Sequence, residues 1–186
     1  MSEERIPSSA RAVFLDRDGT LIVDKSYLQD PRDIEILPGV PERLRLLQKE
    51  GFLLVLVTNQ SGIGRGFFTL DDLSRQHDYL QQLLQREGVT LSAIEFCPHH
   101  PNASCDCRKP KPGMLIRAAH RLEIDLRLSY MVGDKISDME AGAAAGCSTI
   151  LVNPDPVWCP QADFQADSAA AALDLILKKG DQGERV

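Results

Sequence analysis

Aromatic side chains are scarce in this chain: one Trp, three Tyr and six Phe make up 5% of 186 residues. Stacking surface for a single-stranded nucleic acid is therefore thin. Basic excess is missing too, with 21 Lys and Arg against 27 Asp and Glu, a net charge of −6 and a pI near 5.2. The two shortages exclude general binding to nucleic acid or to an anionic membrane surface. Long apolar runs are absent as well. The longest, residues 52–57, has six residues, where a membrane span needs about 20. The first ten residues, MSEERIPSSA, hold no apolar stretch, so no secretory signal is expected and the cytoplasm is the expected location. Five cysteines, three of them crowded into residues 97–107, do not form the even framework of a disulfide-stapled protein. What remains is an ordinary globular composition, 43% hydrophobic and 26% charged, and a length that suits one domain with a sizeable core.

Strand and helix patterns alternate along the chain. Residues 12–15, 52–57, 93–97, 130–133 and 149–152 read as buried strands. Helical spacing appears over 40–50, with Pro41 in the first turn and Gly51 at the stop, and over 69–87, where Thr69 and Asp72 are placed to cap. Further helices are predicted at 112–122, 137–146 and 168–179, with a polar loop at 19–38. Residues 1–10 and 180–186 read as flexible ends of a single domain spanning 11–179. The alternation predicts an α/β fold: a three-layer, Rossmann-like parallel sheet with helices on both faces. Ligands bind such sheets beyond the carboxyl ends of the strands. Asp16, Thr58, Cys97 and Asp134 all fall there.

Asp16-Arg-Asp18-Gly19-Thr20 follows the first strand directly. Two carboxylates so close repel one another, which raises one pKa and suits a nucleophile beside a proton donor; Gly19 lets the chain turn sharply after them. Thr58 and Asn59 offer a hydroxyl and backbone N–H groups at the next strand end, a cradle for phosphate. Lys109-Pro-Lys111-Pro supplies cations on a restricted backbone. Gly133-Asp134-Lys-Ile-Ser-Asp138 adds hard oxygen ligands suited to Mg²⁺. Each element alone has a bland reading as a surface turn; the four together, in this order, do not.

This constellation resembles the haloacid-dehalogenase (HAD) superfamily of aspartate-nucleophile phosphotransferases. The resemblance implies that Asp16 attacks phosphorus, that Asp18 acts as general acid and then base, and that Thr58 and the Asn59 amide hold phosphoryl oxygens. It implies that Lys109, or second Lys111, stabilises the transferring group, and that Mg²⁺ binds Asp16, the Asp18 carbonyl and Asp134, with Asp138 outside the direct ligand set. Larger relatives insert a cap domain between the signatures. Here 39 residues separate Asp18 from Thr58 and 50 separate Thr58 from Lys109, and the predicted elements fill both intervals. No cap domain is expected.

Cys97, Cys105 and Cys107, with His99 or His100, place three thiols and an imidazole within eleven residues. That donor set suits a closed, structural Zn²⁺ site. Cys147 reads as a small core residue, and His77 and His120 as helix-face residues. Among cap-free HAD phosphatases with such a zinc loop, the sequence is similar to those acting on heptose bisphosphates, carried by Phe14 to Thr20, Val57 to Ile63 with Arg65-Gly66, Cys105 to Met114 and Tyr130 to Lys135. This resemblance favours His99 as the fourth zinc ligand. It also implies that Asp24, Lys25, Ser26 and Tyr27 line the sugar site, that Asn59, Gln60 and Ser61 with Thr58 meet the phosphoryl end, and that Arg108 and Lys135 contact substrate. The expected partner is a small phosphorylated sugar, met by a monomer. The five residues between His99 and Cys105 are like those of histidinol-phosphate phosphatases, the alternative in the same superfamily. A polynucleotide-end phosphatase and a non-catalytic zinc-stabilised binding module are the further alternatives.

Overall fold

A computed structural model describes residues 10–181 of the chain. Six parallel strands form one sheet: β1 (Arg11–Leu15), β2 (Phe52–Asn59), β3 (Ala93–Cys97), β4 (Tyr130–Gly133), β5 (Ser148–Val152) and β6 (Phe164–Ala166), in the order β3-β2-β1-β4-β5-β6. Six helices connect or flank them: α1 (Val40–Lys49), α2 (Ser61–Gly64), α3 (Leu70–Arg86), α4 (Gly113–Leu122), α5 (Ile136–Ala145) and α6 (Ala169–Asp181).

Period-two alternation in β1 shows how the three layers arise. Val13 and Leu15 enter the core beneath α1, α3 and α6, whereas Ala12 and Phe14 enter the one beneath α4 and α5. All four are buried. At about 1.5–3 kcal/mol for each large apolar side chain removed from water, this two-sided burial drives the fold. Helix α3 starts as its sequence dictates: Thr69 Oγ1 accepts from the Asp72 amide, and Asp72 Oδ2 accepts from the Thr69 amide.

Several expectations need correction. Strand β6 is only three residues long and carries no readable periodicity. Helix α2 is a single turn rich in glycine, built where propensity argues against a helix. The 19–38 segment is not simply solvated, since Leu21, Ile22, Leu28 and Ile34 are buried in the core. At the amino end, Ala10 belongs to the ordered domain: its amide donates to the Glu123 carbonyl and its carbonyl accepts from the Asp125 amide. At the other end, α6 runs through Gly180 to Asp181, because one glycine costs a helix only about 1 kcal/mol. The rest of the expected flexible ends, 1–9 and 182–186, lies outside the described residues.

The intervals between the chemical signatures hold these elements and nothing larger: a 3₁₀ turn, α1 and most of β2 in the first; α2, α3, β3 and the Cys/His loop in the second. Strand order reverses between β1 and β4, where the connections leave the sheet in opposite directions and open a crevice. Asp16 and Asp134 stand at that point, one at each strand end, and the Asp16 amide donates to the Val132 carbonyl.

Candidate active site

Lys109 is the centre of the site. It is 3% exposed, and its ammonium donates to Asp16 Oδ1 at 2.7 Å and to the Val57 carbonyl at 2.8 Å, while lying 2.7 Å from Asp138 Oδ1. Burial alone would lower its pKa, but Asp16 and then Asp138 hold it well above the ordinary lysine range. Asn59 delivers this lysine. Its carboxamide donates to the Lys109 carbonyl at 3.0 Å and accepts from the Lys109 amide at 3.1 Å. The Asn59 side chain is thus committed to bracing Lys109, which leaves only its main chain to meet a phosphoryl oxygen. Lys111 points elsewhere, donating to the Cys105 carbonyl.

Asp16, Asp134 and Asp138 each bring a carboxylate oxygen within 4.8 Å of the others. Asp138 sits in the first turn of α5, fully buried, with Oδ2 accepting from the Lys135 amide. Burial pushes its carboxyl up, and Lys109 opposes the rise. The Asp134 carboxyl is pushed up to about 7, first by burial and then by the charge on Asp16, and its Oδ1 is buried without a hydrogen-bond partner. Gly19 permits this packing: its φ is +85°, and a Cβ there would stand 2.4 Å from Asp134 Oδ2. An orphaned carboxylate oxygen among three converging hard donors fits a magnesium ion.

Asp16 and Asp18 are not the bare like-charge pair that their spacing suggests. Each has its own cation. Asp18 accepts from Arg17 Nε at 3.0 Å and Arg17 Nη2 at 3.1 Å, and from Gln60 Nε2 at 3.0 Å. Gln60 Nε2 also donates to Thr58 Oγ1 at 2.8 Å, and Gln60 Oε1 accepts from Arg17. The Gln60 carboxamide is therefore used inside the protein, although its residue still lines the cleft. Arg17 is the residue that sequence reasoning missed; its position between two aspartates was the available signal.

Two spaces adjoin these groups. A cavity of about 30 Å³ is bounded by Asp16, Asp18, Thr58, Asn59, Lys109, Lys135, Ser137 and Asp138. A cleft of about 250 Å³ continues from it, lined by Asp24, Ser26, Tyr27, Ser61 and Gly62, with Arg17, Asp18, Asn59, Gln60 and Lys135 shared or at the border. Asp18, Asn59 and Lys135 border both. Ser26 and Tyr27 are left-handed, at φ 44° and 63°, in a turn where Asp24 Oδ1 accepts from the Ser26 amide. Tyr27 is set edge-on against Phe67, 4.7 Å between ring centres. Lys25, expected at the sugar site, is not in the cleft lining; its ammonium pairs with Glu35. Arg108 lines neither space, and its Nη1 is buried and unpaired.

Cys97, His99, Cys105 and Cys107 gather in one cluster, with His99 Nδ1 3.2 Å from Cys107 Sγ and 3.5 Å from Cys97 Sγ. His100 stays outside, its Nδ1 accepting from the Asn102 amide. Burial pushes the Cys97 thiol up to about 12, so a thiolate there needs a cation beside it. Three thiols and an imidazole fit zinc. Gly64 joins this loop to α2: a Cβ on it would meet the His100 amide nitrogen at 2.2 Å. Cys147 and Cys159 are buried in the core under α4 and α5. His77 is a buried residue, not an exposed face, and burial with nearby Arg17 holds its pKa down at about 3.

A HAD-hydrolase-like family profile matches residues 106–156. The D-glycero-beta-D-manno-heptose-1,7-bisphosphate 7-phosphatase of Escherichia coli K12 is 44% identical over 182 residues, covering 92% of this chain and 95% of its own. The enzyme of the same name from Yersinia pestis is 48% identical over 167 residues, 86% of this chain and 89% of its own. The chain belongs to this heptose-bisphosphate phosphatase family. Among solved structures, the D,D-heptose 1,7-bisphosphate phosphatase of B. bronchiseptica, complexed with magnesium and phosphate, superposes with a TM-score of 0.84 at 33% identity, covering 91% of this chain and 99% of that one. Family membership agrees with the cap-free, Rossmann-like HAD fold and the crevice between β1 and β4. Among the described residues no helix is long and apolar enough to cross a membrane.

Proposed function

We propose that the protein is a magnesium-dependent phosphomonoesterase that removes the 7-phosphate of D-glycero-D-manno-heptose 1,7-bisphosphate through an aspartyl-phosphate intermediate, as a single-domain monomer. The observation that carries the chemistry is the buried Lys109 ammonium holding Asp16 at the floor of a cavity that opens into a polar cleft. The substrate rests on the family, whose 44–48% identical members bear this activity in their names; histidinol phosphate is the less favoured reading.

In the first step an Asp16 carboxylate oxygen attacks phosphorus, the bond to the sugar oxygen breaks, and the departing alkoxide takes a proton from the Asp18 carboxyl. In the second step Asp18 takes a proton from water as that water attacks phosphorus, which releases inorganic phosphate and restores the Asp16 carboxylate. Lys109 and Thr58 stabilise the phosphoryl oxygens throughout. Asp16, Asp134 and the Asp18 carbonyl would hold magnesium, which supplies positive charge that offsets repulsion between carboxylate and phosphate. Asp24, Ser26, Tyr27, Ser61 and Lys135, which line the cleft, receive the rest of the sugar bisphosphate.

Zinc held by Cys97, His99, Cys105 and Cys107 has a structural part: the loop runs straight into Arg108 and Lys109. Metal analysis of protein purified without chelators should find about one zinc per chain. Stripping it should lower the melting temperature and phosphatase activity together; a zinc-free preparation with unchanged melting and rate would remove the clip. Substrate choice is tested by kcat/KM with Mg²⁺ for both anomers of the heptose bisphosphate, histidinol phosphate and a 5′-phosphorylated oligonucleotide. The heptose should lead by at least about tenfold. A lead for histidinol phosphate would transfer the assignment to it, and no phosphate release from any ester would leave a binding module.

A further inference from the structure

Gln76 is fully buried in α3 on the face that also presents Leu73, His77, Leu80 and Leu84 to the interior. A carboxamide at such a position is costly unless both its ends are paired. Both are. Oε1 accepts from Arg17 Nη1 at 3.0 Å, and Nε2 donates to the Leu28 carbonyl at 2.8 Å. Arg17, 2% exposed, turns its Nε and Nη2 to the Asp18 carboxylate. A guanidinium is planar, so anchoring Nη1 sets the plane in which the other nitrogens meet Asp18. Leu28 directly follows the left-handed pair Ser26 and Tyr27 in the wall of the cleft. Gln76 itself lines neither the cavity nor the cleft.

We propose that Gln76 is a positioning residue for the phosphatase reaction: through Arg17 it aims the Asp18 carboxyl at the leaving oxygen, and through Leu28 it ties that aim to the sugar-side turn. The inference rests on the acid–base role of Asp18 given above. Asp18 borders both spaces, at the boundary where the phosphorus–oxygen bond to the sugar must break. Proton delivery there matters for an alkoxide, which leaves poorly without it, and matters little for p-nitrophenolate, which is stable as an anion. A residue that only fills the core would affect both esters alike.

The test compares kcat/KM, which reports the step that expels the leaving group, for Gln76→Met and the parent. The esters are the alkyl phosphate the parent hydrolyses best and p-nitrophenyl phosphate, both with Mg²⁺. Misaiming a catalytic group by about 1 Å costs on the order of 100-fold, so the alkyl ester should lose about 10- to 100-fold while the aryl ester changes by less than about threefold. Should Gln76→Met fail to fold, Gln76→Asn carries the test, being polar but one methylene too short to reach both partners. Equal losses on the two esters, or none on either, would overturn the proposal. The parent's own ranking of esters reads the proposed substrate separately: a different best ester refutes the heptose assignment and leaves the variant-to-parent ratio measurable, whereas a parent inactive on every ester sinks both.

Discussion

Asp16→Asn is expected to stop turnover, lowering kcat by about 10,000-fold or more while the protein still folds. An amide oxygen is a far weaker nucleophile than a carboxylate, and neither Asp138 nor Asp18 is free to replace it. Asp138 is held between the Lys109 ammonium and the Lys135 amide, and Asp18 is held by Arg17 and Gln60. The fold survives because asparagine can still accept from Lys109, which retains Asp138 as its anion, and because one negative charge leaves a cluster of three. Phosphate release, a rapid quench for phosphoenzyme and a thermal melt check the three parts of this expectation. Turnover at the parent rate would end the nucleophile assignment.

Lys109→Met should damage stability and catalysis together, which separates it from the first variant. Methionine is close in length but leaves Asp16 and Asp138 buried without their cation. Breaking one partner out of a buried pair costs about 3–5 kcal/mol, and losing a charge that faces the developing phosphoryl oxygens costs about 100- to 1,000-fold in rate. Urea unfolding and kcat/KM measure the two losses. The stability deficit has a pH sign. Burial already raises the Asp138 carboxyl, with Lys109 opposing, so removing Lys109 raises it further. A carboxyl whose folded pKa exceeds its unfolded value binds its proton more tightly in the native state, so its ionisation costs stability as pH rises through that window. The deficit against the parent should therefore be smaller at pH 5 than at pH 8. A pH-independent deficit would mean that Asp138 is compensated from elsewhere.

The chemistry was legible where it depended on neighbours in sequence. Asp16 at the end of a continuous apolar segment, Thr69 with Asp72 three places on, and the C-x-H and C-x-C clusters each declare themselves within a few residues. Legibility failed where a side chain was claimed by something distant. Lys25 reads as a cleft residue until Glu35 is seen beside it; Gln60 reads as a phosphate ligand until its carboxamide is found occupied by Arg17, Thr58 and Asp18, and only packing shows the Asn59 carboxamide bracing Lys109 while its main chain stays available. Strand β6 failed for another reason: three residues are too few for a period to register.

From the chain of residues alone came the alternating strands and helices, the rim on which the reactive groups stand, the metal-type donors and the absence of room for an inserted domain, all consequences of local pattern and spacing. Only the packed molecule decided which charge answers which. Lys109 meets Asp16 across 93 positions, and Arg17 meets Gln76 across 59. Such pairings depend on how each loop and helix settles against the sheet, and a buried ion or amide accepts the partner that packing brings to it, since no water is there to stand in.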